Sequence, residues 1–141
     1  MSTPDVVPIQ THYGSRFQVG QIWQYRVRPV DPQSTLQIVT VDLLHEKEVA
    51  VHVQVRGLNM KSSPTKPEEG IASHLPFSEE ALEASVTNLL YQVSPLPDDF
   101  EEGYEMWREA FLEGKAGIFS VPVAEVISMI ENTMSTGSNS N

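Results

Sequence analysis

The chain has 141 residues, a net charge of −10 and no cysteine. That is the size of one domain with a real core, and it excludes disulfides, thiolate metal ligation and cysteine nucleophiles together. A hydrophobic fraction of 40% and a charged fraction of 20% suit an ordinary globular protein, while the excess of carboxylates argues against nucleic acid or anionic membranes as partners, since both are bound by clustered Lys and Arg.

The segment from Gln18 to Leu58 reads as three consecutive β-strands. In the first, Trp23, Tyr25 and Val27 share one face and Gln24, Arg26 and Arg28 the other. Arg28 to Ser34 holds two prolines and an Asp, which favour a turn and cannot continue a central strand. The second strand, Thr35 to Leu43, has apolar residues on both parities (Leu36 and Ile38, then Val39, Val41 and Leu43). Such a strand is covered on both faces or carries a bulge near Ile38, and a central place in the sheet accounts for either. Leu44 to Lys47 is short enough for a hairpin. In the third strand Val49, Val51, Val53 and Val55 alternate with Glu48, Ala50, His52, Gln54 and Arg56. Gly20 and Gly57 are expected bends at the two ends of the run.

A polar stretch from Asn59 to Gly70 reads as a mobile surface loop. A helix is then expected from Ser78, an N-cap followed by Glu79 and Glu80, with Phe77 stapled onto Leu82. Its buried stripe would be Leu82, Val86, Leu89 and Leu90, ending before Ser94-Pro-Leu-Pro97. A second helix starts near Asp98 or Asp99, with an aromatic stripe of Phe100, Tyr104, Trp107 and Phe111 and glutamates elsewhere. Gly114 and Gly117 stop it. Gly117 to Ser120 is a candidate edge strand, and a third helix carries Val123, Val126, Ile127, Ile130 and Met134 on its apolar face. Residues 135–141 are polar and expected to be disordered.

Strands first and helices afterwards make the fold class α+β. The expectation is a three- to four-stranded antiparallel meander, open or curled into an SH3-like barrel, packed against about three C-terminal helices. One globular domain spans 1–134, with the sheet at about 18–58 and helices at about 78–132. The N-terminus shows no secretory signal and no apolar run approaches the ~18 residues of a membrane span, so a cytoplasmic protein is expected.

Charge divides the chain. Residues 1–66 hold five acidic and seven basic residues, and residues 67–141 fourteen acidic and two basic. Arg26, Arg28, His52 and Arg56 could therefore form a cationic strip on the polar sheet face, a site for an anion or a surface paired with acidic helices. His74, ahead of the Ser78 helix start, could line an anion pocket there, although capping already accounts for Ser78. The four histidines (His12, His45, His52, His74) form no His-Glu-x-x-His pattern, so no metal site or cofactor is expected. There is no P-loop, dinucleotide fingerprint or nucleophile elbow. The paired carboxylates at helix starts are read as dipole partners and the aromatic stripe as core.

Gly-Gln-Ile-Trp-Gln-Tyr-Arg-Val-Arg-Pro (20–29), Ser-Thr-Leu-Gln-Ile (34–38), His-Leu-Pro-Phe-Ser-Glu-Glu-Ala-Leu (74–82) and Gly-Lys-Ala-Gly-Ile-Phe-Ser-Val-Pro-Val-Ala-Glu (114–125) resemble a group of small uncharacterised bacterial proteins. The resemblance covers about 18–131 and implies a single bacterial domain but no reaction and no site residue. The residues themselves point to a binding protein without catalytic activity, one form being an immunity or inhibitor protein that masks a basic partner through the helix at 98–113. A protein partner or a homodimer is thus expected. The alternative is an enzyme that uses the Arg/His strip or the His74 region, and a carboxylate converging on His52 or His74 would favour it.

Overall fold

The computed structural model describes residues 6–59, 70–94, 96–97 and 99–139, with side chains as far as Thr133. The loop expected between Asn59 and Gly70 lies, over 60–69, outside the described residues. The elements are β1 (Ile9–Thr11), β2 (Gln21–Tyr25), β3 (Thr35–Leu44), β4 (Glu48–Arg56), β5 (Ala72–Ser78), α1 (Glu79–Ser85), β6 (Val86–Gln92), α2 (Glu101–Leu112) and α3 (Val123–Asn139). The fold is α+β. Its six strands form an open antiparallel sheet in the order β5-β4-β3-β2-β6, with β1 joined to β3 alongside β2. The expected meander is its centre, β2-β3-β4, and the strand count is larger than the three or four read from the sequence.

The irregular pattern of β3 has the physical cause its parity implied. The strand is central, and its register against β4 slips between Ile38 and Thr40, so Val39 is the extra residue of a bulge. Leu36 and Ile38 before the bulge and Val41 after it therefore reach the same core. On that face Val51, Val53 and Val55 of β4 are fully buried against Trp23, Tyr25, Leu75, Phe77, Leu82, Val126 and Ile127. Burying each valine contributes roughly 1.5–2 kcal/mol. The turn at Leu44 to Lys47 closes with a Lys47 N–H to Leu44 C=O bond of 2.9 Å. It places two non-glycine residues, His45 (φ 51°) and Glu46 (φ 60°), in the left-handed region.

The second face of the sheet lies under α2. Trp107 packs with Leu44, Ala50, Tyr104 and Phe111 there, and its indole N–H donates to the Gly117 carbonyl at 2.8 Å. The aromatic stripe is thus an inward face, as its spacing implies. Ser78 caps α1, its hydroxyl accepting from the Ala81 N–H at 3.1 Å.

The helix expected to end just before Ser94 stops at Ser85. The Ser85 hydroxyl donates to the Ala81 carbonyl and accepts from the Val123 N–H, which fixes the helix end against the start of α3. Beyond it, Val86–Gln92 is β6, paired with β2. β-Branched Val86 and Thr87 favour that conformation, and the open edge of β2 supplies backbone partners that an isolated amphipathic segment lacks. Leu89 and Leu90, read as buried, are 48% and 41% exposed.

At the opposite edge, Phe119 bridges Phe77 of β5 in parallel, so the extended piece read at 117–120 does add to the sheet. The side chain of Met134 and residues 140–141 lie outside the described residues, while α3 itself extends to Asn139. Among the described residues no helix is long and apolar enough to cross a membrane.

Candidate functional site

Strand register gathers the polar residues under α2. Asp42 of β3 stands opposite Ala50 of β4, and His52 stands two residues further along β4, opposite Thr40 and Pro76. His74 lies two residues before Pro76 on β5, so it is the diagonal neighbour of His52. His52 and Gln54 are fully buried and Asp42 is 2% exposed. Two imidazoles and a carboxylate, drawn from three strands, therefore converge on one buried spot.

Short contacts link the three side chains to one another and to α2. Asp42 Oδ2 lies 3.1 Å from His52 Nε2 and accepts the Tyr104 hydroxyl at 2.8 Å. His52 Nδ1 is 2.9 Å from His74 Nε2, with the rings stacked at 5.0 Å. The Asp42–His52 approach is off the ring N–H direction and falls short of an aligned hydrogen bond. The contact between the two rings requires one imidazole to donate and the other to accept, with roles that depend on the tautomers. In the arrangement where His74 donates from Nε2, its Nδ1 keeps a lone pair. The chain then runs from a carboxylate through two imidazoles to one proton-accepting nitrogen.

Packing sets the basicity of that nitrogen. His74 is half-buried, and burial, with the neighbouring His52 second, lowers its pKa from 6.5 to about 4 against the opposing pull of Asp42. The Tyr104 hydroxyl is pushed far up, first by burial and then by its bond to Asp42. Trp107 meets His52 edge-on at 4.7 Å. A side chain at Gly103 would begin 3.0 Å from the His74 Cβ, so a glycine is what lets α2 lie this close. At the start of the helix, Gln54 Nε2 donates to Asp99 Oδ1 at 2.8 Å.

The arginines read as part of one strip go elsewhere. Arg28 is buried, donating to Asp31 Oδ2 at 2.6 Å and to Glu131 Oε1 at 2.7 Å. Glu131 belongs to α3, on the far side of the sheet from α2. Arg26 and Arg56 are exposed. Of the five residues singled out, the structure brings together only His52 and His74.

Sequence reasoning passed over Asp42, gave Tyr104 no polar role and read Asp99 only as a helix-dipole partner. The signal for Asp42 was its position as the single charge within the ten residues of β3. The outer face of α2 is the other notable feature. Glu101, Glu102, Glu105, Glu109 and Glu113 at its end are all exposed, and Met106 and Leu112 among them are 68% and 47% exposed.

In comparison with known proteins, the chain matches no family model, no curated protein and no solved structure. Among the described residues no group of three or more His, Asp and Glu side chains could hold a metal ion.

Proposed function

We propose that the protein is a small acidic cytoplasmic binding protein, without catalytic activity of its own, that masks a basic protein partner through the outer face of α2. The observation that carries this reading is the composition of that face, where exposed apolar Met106 and Leu112 sit among five exposed glutamates. The carboxylates would steer a cationic partner toward the helix, and Met106 and Leu112, which flank them, would add apolar contact. The inner face supports the same reading. Tyr104, Trp107 and the Asp99–Gln54 contact tie the helix to the sheet, so docking would not have to order it first.

The test compares immobilised wild-type protein with a Glu101→Gln, Glu105→Gln, Glu109→Gln variant in capture from source-cell lysate. A basic protein held by the wild type, released by raised salt and lost from the variant supports the proposal. Capture that ignores both the salt and the triple substitution sinks it.

The convergence of Asp42, His52 and His74 favours a second reading, an enzyme that uses His74 Nδ1 as proton acceptor. Its weakness is the low basicity of His74. Purified protein assayed against acyl, phosphoryl and glycosyl esters decides it. No turnover, or turnover unchanged in His74→Gln, removes this reading.

A further inference from the structure

The sheet treats its two edges differently. At the end of β5, the Ser78 N–H donates to the Phe119 carbonyl at 2.8 Å and the Phe119 N–H to the Pro76 carbonyl at 2.9 Å, so a strap of chain pairs with that edge over Pro76–Ser78. β6 ends the strand order on the other side, and among the described residues nothing pairs beyond it. Its contacts run inward, from Asn88 to Gln24, Gln92 to Val19 and Val93 to Gly20. Thr87 to Gln92 are exposed, with Leu89, Leu90 and Tyr91 at 48%, 41% and 56%.

Edge strands of monomers are ordinarily guarded by charge, proline, bulges or cover, because an open edge templates further pairing. β6 has no charge and no proline, and no charged residue occurs from Ala84 to Pro97. We infer that β6 is where two copies of this chain associate, antiparallel about a two-fold axis near Leu89 and Leu90, joining two open sheets into one.

Three observations select a second copy as the occupant. An antiparallel strand pair is its own symmetry mate, so Leu89 and Leu90 meet the same residues of the other copy. A chain of net charge −10 repels its copy over most of its surface, and this uncharged strip is a place where approach is tolerated. The acidic α2 packs toward β5, at the far end of the sheet. Nine strand spacings of ~4.8 Å then put roughly 43 Å between the two β5 strands, several times the screening length of ~8 Å. Register shifts against β2 at Ile22/Trp23 and Trp23/Tyr25 leave Leu90 and one residue between Val86 and Leu89 outside the ladder, so β6 bends there and the pairing between copies is short.

Sedimentation velocity on the full chain, over a dilution series, provides the test. The expected result is a species of twice 15.7 kDa that dissociates on dilution. In Leu89→Lys/Leu90→Lys, association should weaken by about tenfold or more. Hydrogen exchange on the wild type, which needs no variant, should show β6 amides protected only at concentrations where the dimer forms. A wild type that stays monomeric throughout overturns the inference. So does a dimer that survives the double substitution, or one whose β6 amides exchange as in the monomer. The glutamine triple variant of α2 should leave dimerisation intact, which separates this inference from the reading of α2.

Discussion

Replacing His74 by Gln tests the histidine pair most directly, because it removes a titrating ring while leaving an N–H donor able to reach His52 Nδ1. His74 has its pKa lowered from 6.5 to about 4 in the folded protein, mainly by burial. Above pH 6.5 the imidazole is neutral in both states and contributes no pH dependence. Between 6.5 and about 4 the unfolded chain takes up a proton that the folded protein refuses, so stability falls as pH falls. Below about 4 both states are protonated and the loss is complete. The whole shift corresponds to about 3 kcal/mol. The ring is only half-buried, and solvent screening reduces the expected loss to about 1–2 kcal/mol.

The assay is urea unfolding at a series of pH values through this window, on wild type and His74→Gln. Carboxylates also titrate there, but they do so in both proteins, so the difference between the two curves isolates His74. Wild type should lose about 1–2 kcal/mol more than the variant on acidification from neutral pH. Parallel curves would refute the reasoning, as would an NMR titration that places the His74 pKa at or above its ordinary value.

Tyr104→Phe keeps the ring against His52 and Trp107 but removes the donor to Asp42 Oδ2. It should cost about 1.5–3 kcal/mol of unfolding free energy in urea, the range for a hydrogen bond to a charged group. Arg28→Ala leaves the fully buried Asp31 without the guanidinium bonded to it and should cost about 3–5 kcal/mol, with Lys a poor replacement. Arg26→Ala and Arg56→Ala, at exposed positions, should each change stability by no more than about 0.5 kcal/mol. Glu46→Gly relieves a left-handed residue in the β3–β4 turn and should raise stability by up to about 1 kcal/mol, read as a higher melting temperature.

The strands of the meander were legible because their signal is local. Alternating valines in β4 and the parity switch in β3 follow from side-chain direction alone, and even the bulge was implied by Ile38 followed by Val39 and Val41. The Ser78 cap and the aromatic stripe of α2 were equally local. The segment 86–92 was misread for the opposite reason. Val86, Leu89 and Leu90 satisfy helical spacing, and nothing nearby in sequence shows that β2, sixty-odd residues earlier, offers an open edge.

The candidate site depended on the same distinction. Types and parities showed that His52 lies on the polar face of its strand, yet the residues that define its chemistry come from β3, β5 and α2, and only strand register made Asp42, His74 and Tyr104 its neighbours. The arginines illustrate the converse: Arg26 and Arg28 alternate correctly, but Arg28 is claimed by Asp31 and by Glu131 from the far end of the chain.

By itself, then, the sequence determined the α+β class, the absence of cysteine chemistry and the division into a mildly basic first half and a strongly acidic second half, because composition and short-range periodicity carry those properties. The tertiary structure alone decided that the acidic helix covers an Asp–His–His chain and that, among the described residues, one sheet edge is strapped and the other open, because each arises from contacts between residues tens of positions apart.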